Sequence, residues 1–134
     1  MKICVTAGGA GLDAPLDPRF GRCPFFVVVD LDSMADSSVQ NTAAGAAGGT
    51  GIQAAQMVSQ LGVSALVTGN VGPNALQVLS SAGIEIYQSQ GGTVRDAIER
   101  FRRGELVKLS APSVPPQGGM GRGRGMGGGR GKRW

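Results

Sequence analysis

The stretch Gly48–Ala82, GGTGIQAAQMVSQLGVSALVTGNVGPNALQVLSSA, decides the fold. It predicts a glycine turn, a helix, a buried strand, a second turn and a second helix. Ala54, Met57, Val58 and Leu61 fall at i, i+3, i+4 and i+7, which makes one apolar stripe, with Gln53, Gln56 and Gln60 on the opposite face. Thr50 followed by Gln53 reads as a capping box, and Gly62 stands where a left-handed residue ends a helix. Ala65–Thr68 (ALVT) is a short apolar run suited to a strand covered on both faces. Ala75, Val78, Leu79 and Ala82 repeat the helical spacing, Pro73 suits a first helical position, and Gly83 is a stop. Both helix starts follow glycine loops, after Gly48-Gly49 and Gly69–Gly72, and free backbone N–H groups at such starts attract anions.

Upstream, Lys2–Ala7 (KICVTA) is strand-like. Gly8–Arg22 is a long Gly/Pro loop, of the kind that often carries function. Pro24–Leu31 (PFFVVVDL) is a strand rich in β-branched and aromatic residues, and Asp36–Thr42 is a polar strand suited to a sheet edge. Downstream, Ile84–Tyr87 is a further strand. Thr93 with Asp96 starts a third helix, striped by Val94, Ala97, Ile98 and Phe101 and stopped by Gly104, and Leu106–Leu109 has the composition of a short edge strand. Three strands joined without helices predict an antiparallel meander, and the strand–helix units after them predict parallel additions. The expectation is an α/β fold, a three-layer α/β/α arrangement with a mixed sheet of about five strands. This is also the element order of ribonuclease H-like folds.

Composition divides the chain into a domain, residues 1–111, and a Gly/Arg-rich tail, residues 112–134. The tail cannot bury enough apolar surface to offset chain entropy, so it is expected to be disordered. Eight basic and nine acidic residues leave the first part at −1; the tail's Arg122, Arg124, Arg130, Lys132 and Arg133 bring the chain to +4. The basic character therefore belongs to the tail, which resembles RGG-type segments that contact single-stranded nucleic acid. A solubilising or docking tail fits the composition equally.

Two cysteines without an export signal fit a reducing cytoplasm. No apolar run approaches the roughly 20 residues that cross a bilayer. With no histidine in the chain, the commonest acid–base group is missing. Residues 49–54 match a GxGxxG/A pattern, but the acidic residue expected about 20 positions on is absent, so the dinucleotide signal is weak. Cys4 alternates with Ile3 and Val5 and reads as a small buried hydrophobe. Cys23 follows Arg19 and Arg22, whose charge would favour its thiolate, and both a ligand role and a structural role stay open. The acids Asp13, Asp17, Asp30, Asp32 and Asp36 read as loop and strand-end solvation.

Four segments then carry a family resemblance: RFGRCPFFVVVD at Arg19–Asp30, GGTGIQAAQ at Gly48–Gln56, VTGNVGPNA at Val67–Ala75 and GGTVRDAIERFRRGEL at Gly91–Leu106. Over about Met1–Leu109 the chain resembles the dinitrogenase iron–molybdenum cofactor biosynthesis family, with its NifX-type carriers and orange proteins. The resemblance implies a ribonuclease H-like fold without nuclease activity. It also implies non-catalytic binding and carriage of an anionic metal–sulfur cluster, an iron–molybdenum cofactor precursor or a molybdenum-containing sulfide such as a molybdenum–copper cluster. Carried over by motif, the site is Arg19, Phe20, Gly21, Arg22 and Cys23, then Gly49, Thr50 and Gly51, then Asn70, Val71 and Gly72, with Cys23 the candidate metal ligand. Some carriers of the family place a histidine near the cluster; its absence here favours non-covalent or thiolate-assisted holding of a simpler cluster. The implied partners are metal-cluster donor or acceptor proteins, with weak nucleic-acid contact through the tail, no membrane, and a monomer or weak homo-oligomer. A nucleic-acid-binding protein acting through the tail and a small nucleotide-binding regulator are the competing classes.

Overall fold

A computed structural model describes residues 1–45 and 50–110. Gly49 and the tail lie outside the described residues, and with them the nucleic-acid expectation. The strands are β1 (Lys2–Ala7), β2 (Phe25–Asp30), β3 (Asp36–Gln40), β4 (Ala65–Thr68), β5 (Glu85–Gln88) and β6 (Val107–Leu109); the helices are α1 (Thr50–Ser59), α2 (Pro73–Ser81) and α3 (Val94–Arg102). They form one mixed sheet of order β3-β2-β1-β4-β5-β6. β1–β2 and β2–β3 are antiparallel, with Ile3 opposite Val29 and Val27 opposite Ser38. β1–β4 and β4–β5 are parallel, with Cys4 opposite Leu66 and Leu66 opposite Ile86. The sheet has six strands rather than about five. Gly104, at φ +70, turns the chain back after α3 so that Val107–Leu109 pairs antiparallel with β5.

Strand side chains alternate between faces, and that alternation divides the core in two. Cys4, Phe26, Val28, Leu66 and Ile86 meet Ala54, Ala55 and Val58 of α1 and Ala75 and Leu79 of α2. On the other face Ile3, Val5, Val27, Val29, Ala65 and Val67 meet Val94, Ala97 and Ile98 of α3. Central β4 is buried at all four positions, whereas edge strand β3 has none buried. Leu66, Leu79, Ile86 and Ile98 are almost wholly buried. Each contributes about 1.5–3 kcal/mol of transfer free energy.

Helix ends follow local chemistry. At the end of α2, Gly83 (φ +79) donates its N–H to Ser80 O, and Ile84 N–H reaches back to Leu79 O, a Schellman closure. At the start of α3, Asp96 N–H donates to Thr93 Oγ1 at 3.2 Å and Thr93 N–H donates to Asp96 Oδ2 at 2.9 Å, the reciprocal capping box. Thr93→Ala is therefore expected to cost about 1 kcal/mol. Urea unfolding reads this, and an unchanged midpoint would remove the cap from the account of α3. Thr50, expected as a cap, is instead the first residue of α1.

Candidate functional site

Because β1 and β4 run parallel, their C-terminal ends, Ala7 and Thr68, share one edge. The Gly8–Arg22 loop leaves β1 at that edge and returns across it. Asp17 N–H donates to Thr6 O at 2.9 Å, and the Thr6 hydroxyl donates to Asp17 O at 2.7 Å while lying 2.8 Å from the Thr68 hydroxyl. The next residue, Pro18, presses on the turn after β4. A β-carbon on Gly69 would stand 2.4 Å from Pro18 Cβ and 2.5 Å from Pro18 Cα, so only glycine permits the approach. Asn70 N–H donates to Pro18 O at 2.8 Å, and Phe20 N–H donates to Asn70 O at 3.3 Å. Arg19 and Asn70 are thus joined as a short parallel bridge.

The loop then tightens. Arg22 N–H and Cys23 N–H both donate to Arg19 O, at 3.1 and 3.0 Å. Gly21, at φ +99, faces the first turn of α1, where an added β-carbon would meet Gly51 N at 3.1 Å. Buried Asn41, just after β3, donates from Nδ2 to Gly21 O at 3.1 Å and Cys23 O at 2.8 Å, and lies 3.8 Å from Cys23 Sγ. Phe20 is half-buried, its ring centroid 6.2 Å from that of Phe26. The fold therefore brings together Arg19–Cys23, Thr50, Gly51 and Asn70–Gly72. Val71 sits at the bottom of this group, buried in the α1/α2 core.

The three helix starts differ. At α3 the loop fills the donors: Val94 N–H donates to Ala14 O at 2.9 Å and Arg95 N–H to Leu12 O at 2.8 Å, on top of the capping box. That end has nothing left for an anion. At α2, Gly72 is the N-cap, Pro73 opens the helix, and no side chain caps it. The start of α1 lies against Gly21. Two helix starts with partial positive charge thus border the Arg19–Cys23 loop.

Its charges are arranged otherwise than expected. Arg19 is held by Asp17: Nε donates to Oδ1 at 3.1 Å and Nη2 to Oδ2 at 2.9 Å. Asp17 is no solvation residue; it is 7% exposed, and the bonds from Arg19 hold its carboxyl below the usual range. Arg22 is exposed and has no side-chain partner among the described residues. Cys23 is fully buried, and its thiol is pushed up to about 12, first by burial and then by the charge of Asp17. The expectation that neighbouring guanidinium groups favour its thiolate is corrected accordingly: Arg19 is neutralised by Asp17, and Arg22 stands in solvent. Cys4 is a buried hydrophobe as expected, its thiol likewise pushed up by burial. In the sequence Asp17 reads as solvation, Asn41 as part of a polar edge strand, and Gly69 only as the opening of the turn before α2. Only Gly69, a glycine in a turn after a buried strand, carried a local signal.

These features define a class: a small mixed α/β protein whose glycine-lined loops close over one sheet edge and offer amides and an exposed guanidinium there. A model of the family described as dinitrogenase iron–molybdenum cofactor matches residues 1–104, and the chain belongs to that family. Similarity to solved structures agrees. The apo orange protein of Desulfovibrio gigas is 46% identical with a TM-score of 0.81, covering 84% of this chain and 96% of that one. A candidate NifB protein of the DUF35 family from Thermotoga, solved by NMR, is 34% identical with a TM-score of 0.75, covering 84% of this chain and 97% of that one. An uncharacterized protein of Methanocaldococcus jannaschii is 31% identical over 97 residues, which is 70% of this chain and 82% of that protein. Among the described residues no helix is long and apolar enough to cross a membrane.

Proposed function

We propose that this protein is a carrier, not an enzyme, and that its cargo is an anionic metal–sulfur cluster of the iron–molybdenum precursor or molybdenum sulfide type. The cargo sits on the Arg19–Cys23 loop, between Thr50 and Gly51 at the start of α1, which Gly49 precedes in the sequence, and the turn Asn70, Val71 and Gly72. The observation that carries this reading is exposed Arg22, without a side-chain partner among the described residues, on a glycine loop packed against α1 and the turn before α2, whose first turn no side chain caps. Amides and exposed guanidinium N–H groups suit a bulky anion of low charge density. A buried, protonated Cys23 suits direct ligation poorly, so charge and backbone hold the cargo and the thiol supports the loop from below. Membership of a cofactor family supports the same cargo, and donor or acceptor proteins for the cluster follow as partners. The strand order, a meander extended by parallel strands, supports the ribonuclease H-like reading of the architecture.

Titration with tetrathiomolybdate without oxygen, followed by visible absorbance and metal analysis, tests this. Arg22→Ala is expected to weaken uptake by about 1.5–3 kcal/mol, the value of one charge-assisted contact. Cys23→Ser is expected to change it only slightly. Loading lost entirely in Cys23→Ser would show thiolate ligation instead, and loading unchanged in both variants would remove the cargo from this loop.

A further inference from the structure

Resting on the carrier reading, one residue outside the motif set stands out. Asp17 is anchored at both backbone groups to Thr6, at the end of central strand β1. Its carboxylate accepts three bonds from a single residue: Arg19 N–H at 2.9 Å, Nε–H at 3.1 Å and Nη2–H at 2.9 Å. A guanidinium has five N–H donors. Asp17 takes two of them, and the remaining three belong to a side chain that is 65% exposed at the mouth of the site. We infer that Asp17 is a positioning residue, which fixes the Arg19 guanidinium so that its free N–H edge serves the anion.

Charge alone argues the other way. A carboxylate beside an anion site repels the anion, so removing it should tighten binding. Position argues for Asp17. Arginine loses much rotamer freedom when it is immobilised, and a guanidinium already clamped in a bidentate pair has lost that freedom before the anion arrives. Asp17 stays ionised in this role, because the bonds from Arg19 hold its carboxyl below the ordinary range.

The two accounts separate in a double-mutant cycle read by tetrathiomolybdate binding to the full chain. Arg19→Ala and Asp17→Asn are each expected to weaken binding about tenfold. Asp17→Asn placed on Arg19→Ala should weaken it no further. Asp17→Glu, which keeps the charge and moves it out by one methylene, should also lose affinity, and it serves as the second variant if Asp17→Asn fails to fold. Binding by Asp17→Asn as tight as wild type, wild-type binding by Asp17→Glu, or a further tenfold loss in the Arg19→Ala background would each overturn the inference. The last of these would mark Asp17 as merely structural. A readout free of the cargo is the Arg19 Nε–H signal in ¹⁵N NMR. It is expected to exchange slowly in the wild type and to be lost in Asp17→Asn. If the wild type binds no tetrathiomolybdate, the carrier reading falls by itself. The Nε–H signal then still decides: retained in Asp17→Asn, it overturns the positioning role.

Discussion

Gly69→Ala is expected to lower stability by about 3 kcal/mol or more and to abolish anion uptake. The β-carbon would stand 2.4–2.9 Å from three atoms of Pro18, two of them backbone. Backbone cannot swing aside as the far end of a side chain can. Either β4 and its turn shift, or the segment from Pro18 to Cys23 lifts away. Lifting breaks the Asn70–Pro18 and Phe20–Asn70 bonds and moves Gly21 off the start of α1. Urea unfolding gives the stability change, and alkylation of Cys23 in the folded variant reports a lifted loop, because the thiol is fully buried in the wild type. A variant with a wild-type midpoint and a protected Cys23 would show that the Pro18–Gly69 approach is not a constraint.

Alkaline pH should destabilise the protein steeply above about pH 9. Both thiols ionise near 9.0 in an unstructured chain; in the folded protein burial pushes Cys23 up to about 12 and Cys4 higher still. Below pH 9 both states keep their protons, so the thiols leave stability unaffected. Above pH 9 the unfolded chain releases protons that the folded chain retains. Stability then falls by roughly 1 kcal/mol per pH unit for each thiol, until the folded thiols themselves ionise. Between pH 9 and 11 the two together remove several kcal/mol, a large share of the total for a domain of this size. Tyr87, whose hydroxyl donates to Glu85 Oε1 at 2.9 Å, adds to the loss above pH 10. Cys4→Ala should roughly halve the slope of stability against pH. A flat stability curve from pH 9 to 11 would contradict the burial of both thiols.

Features written within one helical turn or one strand were legible in the sequence. β1 and β4 have the expected ends, Pro73 opens α2, and the Thr93–Asp96 box forms both its bonds. Period and capping are local properties, and local properties can be read without neighbours. Topology rules gave the parallel sense of the later strand–helix units, but the seating of β1 beside β4 had no local signal in the sequence. The rest depended on residues far apart in the chain. Asp17 looked like solvation because its acceptor load comes from a turn that the sequence does not show to be closed. Asn41 looked like the polar end of an edge strand, since its three acceptors lie 18 to 20 residues earlier. Cys23 looked activated because adjacent arginines are visible in a sequence while burial is not. The structure sets the Arg19–Cys23 loop against Asn70 and the start of α1, but the charge state within that loop was not legible in the sequence.

The position of β1 has a consequence for how a new chain becomes competent. This strand precedes the other five in the chain, yet it lies in the middle of the sheet, with β2 on one edge and β4 on the other. Its first edge is covered once Phe25–Asp30 has been synthesised, and its second has no partner until Ala65–Thr68 follows. Gly69 and Asn70, which clamp Pro18 and Phe20, arrive immediately afterwards. A nascent chain therefore possesses the arginine loop long before it possesses the turn that shapes it. The shaped loop exists only in molecules whose two halves have already met, and its closure reports that the chain has been made past Asn70.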